Sequence, residues 1–277
     1  MEHKLTQFDA VAEVVRQRLQ TLEQQHQVKI LFAVESGSRA WGFASPNSDW
    51  DVRFIYVHKL PWYLRVQAGR DVIESAIEQH ELGELDINGW ELRKSLQLLR
   101  KGNPALLEWL QSPMRYVCDD AAMHAYRELA QRFISPAAGF YHYYCYALKN
   151  QRQFLGKDLV KRKKYLYVLR GVLAADWISR GYGQVPIRLS DLLERLLPEG
   201  EVRLAIDDLV AQKMQTEELA EQAPLLLLEQ YIASELLRLR DLQPATQQCT
   251  QDDYRASDAL LYQLVQQFTS AKVFDGS

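Results

Sequence analysis

The sequence predicts an α+β fold: a short mixed sheet flanked by helices, followed by an α-helical domain, divided as residues 1–120 and 121–277. Three observations predict it. Two runs rich in β-branched and aromatic residues, Val28–Glu35 and Trp50–Val57, lie close together near the start and read as strands. Apolar residues recur at helical spacing through most of the second half, so a first part of mixed strands and helices is followed by helices nearly throughout. At 277 residues, 47% hydrophobic and 25% charged, the chain can bury substantial cores and has an ordinary globular composition.

Taken in order, Leu5 to Gln25 carries Phe8, Val11, Val14, Val15, Leu19 and Leu22 at helical spacing and reads as an amphipathic helix. Val28–Glu35 is a buried strand. Gly37 to Ser48, with its glycines, serines, Pro46 and Asn47, is loop chemistry with room for a short helix. Trp50 to Val57 alternates between an apolar face and a face bearing Asp51 and Arg53. Asp71–Ile77 and Glu81–Ile87 read as strands around a polar turn at Gln79-His80. Gly89–Arg100 and Ala105–Leu110 read as helices separated by the breaker Gly102-Asn103-Pro104, and Met114–Cys118 as a last strand. Pro136–Leu155, Lys161–Ser179, Ser190–Leu196 and Thr216–Leu239 carry helical periodicity. Gln243–Asp253 is a polar linker before a final helix, Ser257–Ala271.

The bulk numbers exclude some classes. A net charge of −3 gives no global basic signature, so any nucleic-acid contact needs a local patch. Cys118, Cys145 and Cys249 form no CxxC and fit buried free thiols in a reducing compartment. Met1 to Gln27 lacks the apolar core of a signal peptide, and no apolar run approaches bilayer-spanning length. A cytoplasmic location without a membrane partner is the expectation.

The chemistry concentrates between Glu35 and Asp86. Side chains two apart on a strand share a face, so Asp49 and Asp51 project together. Paired carboxylates repel unless a cation neutralises them, and hard oxygen donors suit Mg²⁺ or Mn²⁺. Gly37 permits close backbone approach, and Ser38 offers a hydroxyl and an N–H to a phosphate. Asp86, between apolar neighbours in a strand, is costly to bury unless it has a ligand; Glu84 on the same face is the runner-up. Arg53 shares the aspartate face and either contacts a phosphate or pins Asp51, the second role being favoured. Arg39, beside Gly37-Ser38, is the better candidate for a triphosphate contact.

These residues resemble a known pattern. A strand ending in Gly-Ser, an Asp-x-Asp strand and a later strand aspartate are similar to the DNA polymerase β-type nucleotidyltransferase superfamily. Gly37-Ser38-Arg39-Ala40-Trp41-Gly42, Ser48-Asp49-Trp50-Asp51-Val52-Arg53-Phe54-Ile55-Tyr56 and Asp86-Ile87-Asn88-Gly89-Trp90-Glu91-Leu92-Arg93-Lys94 resemble its RlaP subfamily. That group is named for a predicted RNA-repair pathway and is also called YcgL-like. Lys101-Gly102-Asn103-Pro104-Ala105-Leu106-Leu107-Glu108-Trp109-Leu110 and Lys164-Tyr165-Leu166-Tyr167-Val168-Leu169-Arg170 extend the likeness.

The resemblance implies a polymerase-β-like nucleotidyltransferase domain and two Mg²⁺ or Mn²⁺ ions held by Asp49, Asp51 and Asp86. It implies that Gly37 and Ser38 hold the β- and γ-phosphates of an NTP, and that Asp86 helps activate the acceptor hydroxyl. The acceptor is left open among an RNA terminus, a protein side chain and a small molecule. The rival readings are a non-catalytic nucleotide or RNA sensor and a modifier of a protein partner.

Further candidates lie in the second half. Lys161-Arg162-Lys163-Lys164 reads first as a solvated helix face. With Lys157, positions 157, 161 and 164 fall on one helical face that could reach a triphosphate or an RNA backbone, with Lys164 favoured. Tyr167 and Arg170 neighbour that run, and Tyr167 is a candidate for base stacking or core packing. The aromatics of Gly139–Tyr146, including His142, are read as helix packing before base stacking. Trp41 and Trp90 are expected to wedge the active-site loop and the following helix into the core.

Overall fold

The computed structural model describes residues 7–81, 83–215 and 221–270. Its elements in chain order are α1 (Gln7–His26), β1 (Val28–Glu35), α2 (Gly37–Ala40), β2 (Trp50–His58), α3 (Leu60–Tyr63), β3 (Val72–Glu74), β4 (Glu78–His80) and β5 (Gly83–Glu91). There follow α4 (Leu92–Arg100), α5 (Pro104–Gln111), β6 (Arg115–Cys118), α6 (Asp120–Gln131), α7 (Pro136–Phe154), β7 (Val160–Lys161) and α8 (Lys163–Ser179). The chain ends with α9 (Leu189–Leu196), α10 (Glu201–Gln215), β8 (Glu221–Gln222), α11 (Leu226–Leu239) and α12 (Gln251–Ser270).

The main sheet is mixed, in the order β3-β5-β2-β1-β6, with β4 on β5 beside β3. β1 and β2 are antiparallel, whereas β2 and β5 are parallel, with Asp51 opposite Asp86 and Arg53 opposite Asn88. Strand alternation then divides the residues of β2. Trp50, Val52, Phe54 and Tyr56 join Val11, Val15 and Leu19 of α1 in one core. On the other face Ile55 and Val57 pack under Leu92 and Leu96 of α4, Tyr126 of α6, and Leu260 and Leu264 of α12. Asp51 and Arg53 occupy that same face and are half-buried.

A third core, built from α7 to α11, holds Tyr143, Leu166, Leu169, Leu193, Ile206 and Ile232, together with Phe43 from the loop after α2. The cores do not divide at residue 120. α6 and α12 belong to the sheet side, because the apolar stripes Met123–Tyr126 and Leu260–Leu264 face β1, β2 and α4.

Several boundaries differ from expectation, each for a local reason. Gln79-His80, expected as a turn, lies in β4 and pairs with Gly83 and Glu84; an edge strand held by backbone bonds leaves little apolar signal. Gly89 is strand, not helix: it lies flat on Phe54, whose ring a Cβ at 89 would overlap. The helix starts only at Leu92, where the Glu91 carboxylate accepts from the Lys94 N–H as an N-cap. Lys161 pairs with Glu221 in β7–β8, so α8 begins at Lys163, and Lys157 and Lys161 do not share its face with Lys164. The expected Thr216–Leu239 helix overlaps residues 216–220, outside those described; what is seen is α11 from Leu226. α6 and α10 were not anticipated, and α12 begins at Gln251, within the expected linker. Cys145 is exposed rather than buried, and all three cysteines are free. No helix among the described residues is long and apolar enough to cross a membrane.

Candidate active site

The site is built where β1 ends and β2 begins. Ser36 donates its N–H and its hydroxyl to the Asp51 carbonyl, at 2.9 and 3.0 Å. Glu35 takes the Asp51 N–H at 2.9 Å on Oε1, while its other oxygen accepts from the Tyr116 hydroxyl at 2.6 Å. Both backbone groups of Asp51 are thereby fixed from residues 35 and 36. Glu35 is fully buried, and burial pushes its carboxyl up to about 7 against the opposing pull of Tyr116 and the Asp51 N–H. Sequence reading missed this residue, although a glutamate at the end of an apolar strand was a usable signal.

Gly37 follows in the left-handed region at φ +61. A Cβ there would overlap Asp51 Oδ2 and stand 3.0 Å from its Cγ. The position is glycine both for its backbone and for its contact with the carboxylate. Ser38 is buried one residue further on, and the turn closes with the Phe43 N–H donating to the Ser38 carbonyl at 3.1 Å.

Asp51 and Asp86 meet across the parallel pair. One guanidinium nitrogen of Arg53 lies 3.1 Å from Asp51 Oδ1 and 2.7 Å from Asp86 Oδ2, and Asn88 donates to the other Asp86 oxygen. Arg53 is thus placed in the pinning role. Burial pushes the Asp51 carboxyl up; Arg53 opposes this, and the neighbouring charges of Asp86 and Asp49 reinforce it. Asp49 is exposed just before β2. Glu84, the runner-up, is engaged by Gln79 of β4.

Arg39 spends its donors on the carbonyls of Ser48 and Asp49 and lies 3.6 Å over the Trp50 ring. It buckles the loop before β2 onto the Gly-Ser turn. Tyr167 stands edge-on to Trp41 and Phe43, at 5.9 and 6.1 Å. Burial raises its hydroxyl to about 12, and Tyr146, Asp51 and Asp49 add to the shift. The charges of Asp51 and Asp49 thus reach its hydroxyl. Lys164 lies 4.0 Å over Phe154 and 5.6 Å from Tyr167, and burial lowers its ammonium.

The turn is tied to the helical side as well. Trp41 Nε1 donates to Glu108 at 3.0 Å, Tyr143 donates its hydroxyl at 2.6 Å, and Arg170 completes the cluster at 2.9 Å. Arg170 also stacks over Trp41 at 4.4 Å, and the Leu189 N–H donates to the Trp41 carbonyl. Among the expected aromatics, Phe140 and Tyr143 are core, and Trp90 stacks on Trp109 at 3.9 Å, from β5 rather than from a helix. Lys213 of α10, also unanticipated, is buried beside Phe43 and Tyr167.

Whether the acidic residues fit a metal is a question of donor chemistry. Among the described residues no group of three or more His, Cys, Asp or Glu side chains stands gathered as a ready-made cage. The two facing carboxylates, both reached by one cation and one of them pushed up by burial, are nonetheless a hard oxygen donor set that fits Mg²⁺ or Mn²⁺.

Comparison with known proteins agrees with the sequence resemblance. The profile of RlaP, the RNA repair pathway DNA polymerase beta family, matches residues 11–263. "Uncharacterized protein YcgL" of Bacillus subtilis (strain 168) is 44% identical over 223 residues, covering 80% of this chain and 84% of that protein. The crystal structure of a nucleotidyltransferase-like protein from Exiguobacterium sibiricum 255-15 aligns with 91% of this chain and 80% of that one. Its identity of 13% and TM-score of 0.28 are too low to bear on the site.

Proposed function

The chain belongs to the RNA repair pathway DNA polymerase beta family, and from that premise we propose that it transfers an NMP unit from an NTP to a hydroxyl, releasing pyrophosphate. The observation that carries this reading is the Asp51–Asp86 register, with Gly37 pressed against Asp51. Asp49, Asp51 and Asp86 would hold the Mg²⁺ or Mn²⁺ ions. Such ions, when bound, neutralise charge on the transferred phosphoryl group and on the leaving pyrophosphate.

The chain's own residues supply the rest. Glu35 and Ser36 lock the Asp51 backbone, Arg53 orients both carboxylates, and the Gly37-Ser38 turn gives the phosphates a close backbone approach. The acceptor oxygen forms a bond to the α-phosphorus as the bond to the β-phosphate's bridging oxygen breaks. The acceptor's proton passes to a carboxylate oxygen of Asp86. Tyr167 and Lys164, whose ammonium lies 5.6 Å from the Tyr167 ring, are the proposed contacts for base and phosphates. The family's name points to RNA, so an RNA end is the proposed acceptor, with a protein hydroxyl as the alternative.

The test is to incubate the purified protein with each labelled NTP, Mg²⁺ or Mn²⁺, and small RNA or protein. Label should move to RNA and disappear with Asp51→Asn. Transfer that survives Asp49→Asn or Asp51→Asn would sink the mechanism. Tight NTP binding without any turnover would mean a sensor.

A further inference from the structure

A cavity of about 410 Å³ lies between α5, the start of α7, the end of α8 with the turn that follows it, and the segment after α11. Its size falls in the range of small-molecule sites, ~300–1,000 Å³. Among the described residues no Asp, Glu, Lys, Arg or His side chain lines it. A charged ligand would give up its hydration there and meet no opposite charge. The walls are apolar and flat: Leu107 and Ile178, the rigid rings of Pro104, Pro136 and Pro244, and Gly139, which carries no side chain. Such a space takes up planar apolar molecules.

One polar group is left over in the wall. The Gln111 side-chain amide donates to the Leu107 carbonyl at 3.3 Å and to the Val185 carbonyl at 3.0 Å, so both amide hydrogens are used. Its Oε1 accepts no hydrogen bond among the described residues. A flat ligand with one N–H would satisfy walls and acceptor together.

Two routes tie the cavity to the turn after β1. Tyr143, in the wall, donates to Glu108 at 2.6 Å, and Glu108 accepts from Trp41 Nε1 at 3.0 Å. Gln111 is followed by Ser112, whose hydroxyl donates to the Glu35 carbonyl at 2.6 Å, and Glu35 holds the Asp51 N–H.

We propose that this cavity binds an uncharged aromatic small molecule carrying an N–H donor, and that its occupancy stiffens the turn from Gly37 to Phe43. The bound ring packs against Tyr143 and holds it on Glu108, so that Trp41 is held in turn. Neither the binding nor the stiffening requires the reaction assigned to Asp51 and Asp86.

Three probes test the site without nucleotide: indole, indene (the same bicycle without the N–H) and the anion indole-3-acetate. Indole should raise the melting temperature by about 2–4 °C at concentrations several times its Kd. It should bind about 3- to 10-fold tighter than indene, the worth of one hydrogen bond, and at least about 10-fold tighter than the anion. Hydrogen exchange at the Trp41 and Phe43 amides, which close the turn onto Gly37 and Ser38, should slow with indole bound. Gln111→Met should equalise indole and indene, and Ala245→Trp, which fills the cavity, should abolish binding of both. Should the tryptophan variant fold poorly, the indole-to-indene ratio in Gln111→Met still decides the case. No binding of indole to wild type, equal binding of the anion, or wild-type binding in folded Ala245→Trp overturns the site. An unchanged ratio in Gln111→Met overturns the N–H assignment, and unchanged amide exchange overturns the link to the turn; nucleotidyl transfer stands in every case.

Discussion

Gly37 and Asp51 are packed so closely that no side chain fits between them: a Cβ at 37 would overlap the Asp51 carboxylate oxygen. The turn is fitted to the acidic residue, not merely adjacent to it. Gly37→Ala should therefore displace Asp51 and reduce NMP transfer by about 100-fold, the scale of a 1 Å misplacement. The left-handed backbone adds about 1–2 kcal/mol of destabilisation. Transfer assays alongside urea unfolding check both numbers; near-normal transfer would show that the carboxylate can move freely.

Glu35 should leave a signature in stability against pH. Its carboxyl rises from 4.5 to about 7 when buried, so the folded state holds its proton more tightly than the unfolded state. The resulting stabilisation is full below about pH 4.5 and is lost as pH climbs through about 7. A shift of this size is on the order of 3 kcal/mol. Wild type should thus lose stability relative to Glu35→Gln across that window in denaturant titrations. A constant difference between the two curves would rule the effect out.

Arg53 bridges Asp51 and Asp86 from a largely buried position. Arg53→Met removes the shared cation and leaves the two carboxylates facing one another. Protonation of Asp51, whose carboxyl Arg53 holds down, should then require less acid, moving the acidic limb of the activity–pH profile upward. Stability should fall by about 1–3 kcal/mol. An unmoved acidic limb would mean that Arg53 does not govern these charges.

Glu108 gathers Trp41, Tyr143 and Arg170 at one carboxylate. Arg170 is 3% exposed, so Glu108→Ala strands a buried guanidinium at a cost of about 3–5 kcal/mol. The double variant Glu108→Ala/Arg170→Met should recover much of that loss. Chemical denaturation of the four proteins completes the cycle, and strict additivity would show that the pair does not interact.

The local geometry of the candidate site was legible where its signals are local. Gly37, Ser38, Asp49, Asp51 and Asp86 sit in short stretches whose strand alternation and glycine chemistry can be read directly. Arg53's pinning role followed from sharing the strand face of Asp51. The hydrogen bonds of Arg39 to the Ser48 and Asp49 carbonyls were not legible, because adjacency to the Gly-Ser turn does not reveal where a guanidinium spends its donors. The grouping of Lys157 and Lys161 with Lys164 failed because a two-residue strand, Val160–Lys161, interrupts the helical register. The Glu108 cluster and Lys213 depend on contacts between distant segments, which periodicity does not encode. The position of α12 is of the same kind: its apolar stripe was visible, but not that it would return to β2 and α4.

Phe43 belongs by position to the Gly37-Ser38 turn and by packing to the helical bundle, where it is fully buried. A fragment that kept the strands and lost the bundle would expose this ring, forfeiting about 1.5–3 kcal/mol at the loop that must stay rigid. The acidic strands are consequently not a portable module. Grafted onto a different helical partner they would keep their aspartates and lose the anchor of their turn, so strands and bundle are constrained to change together.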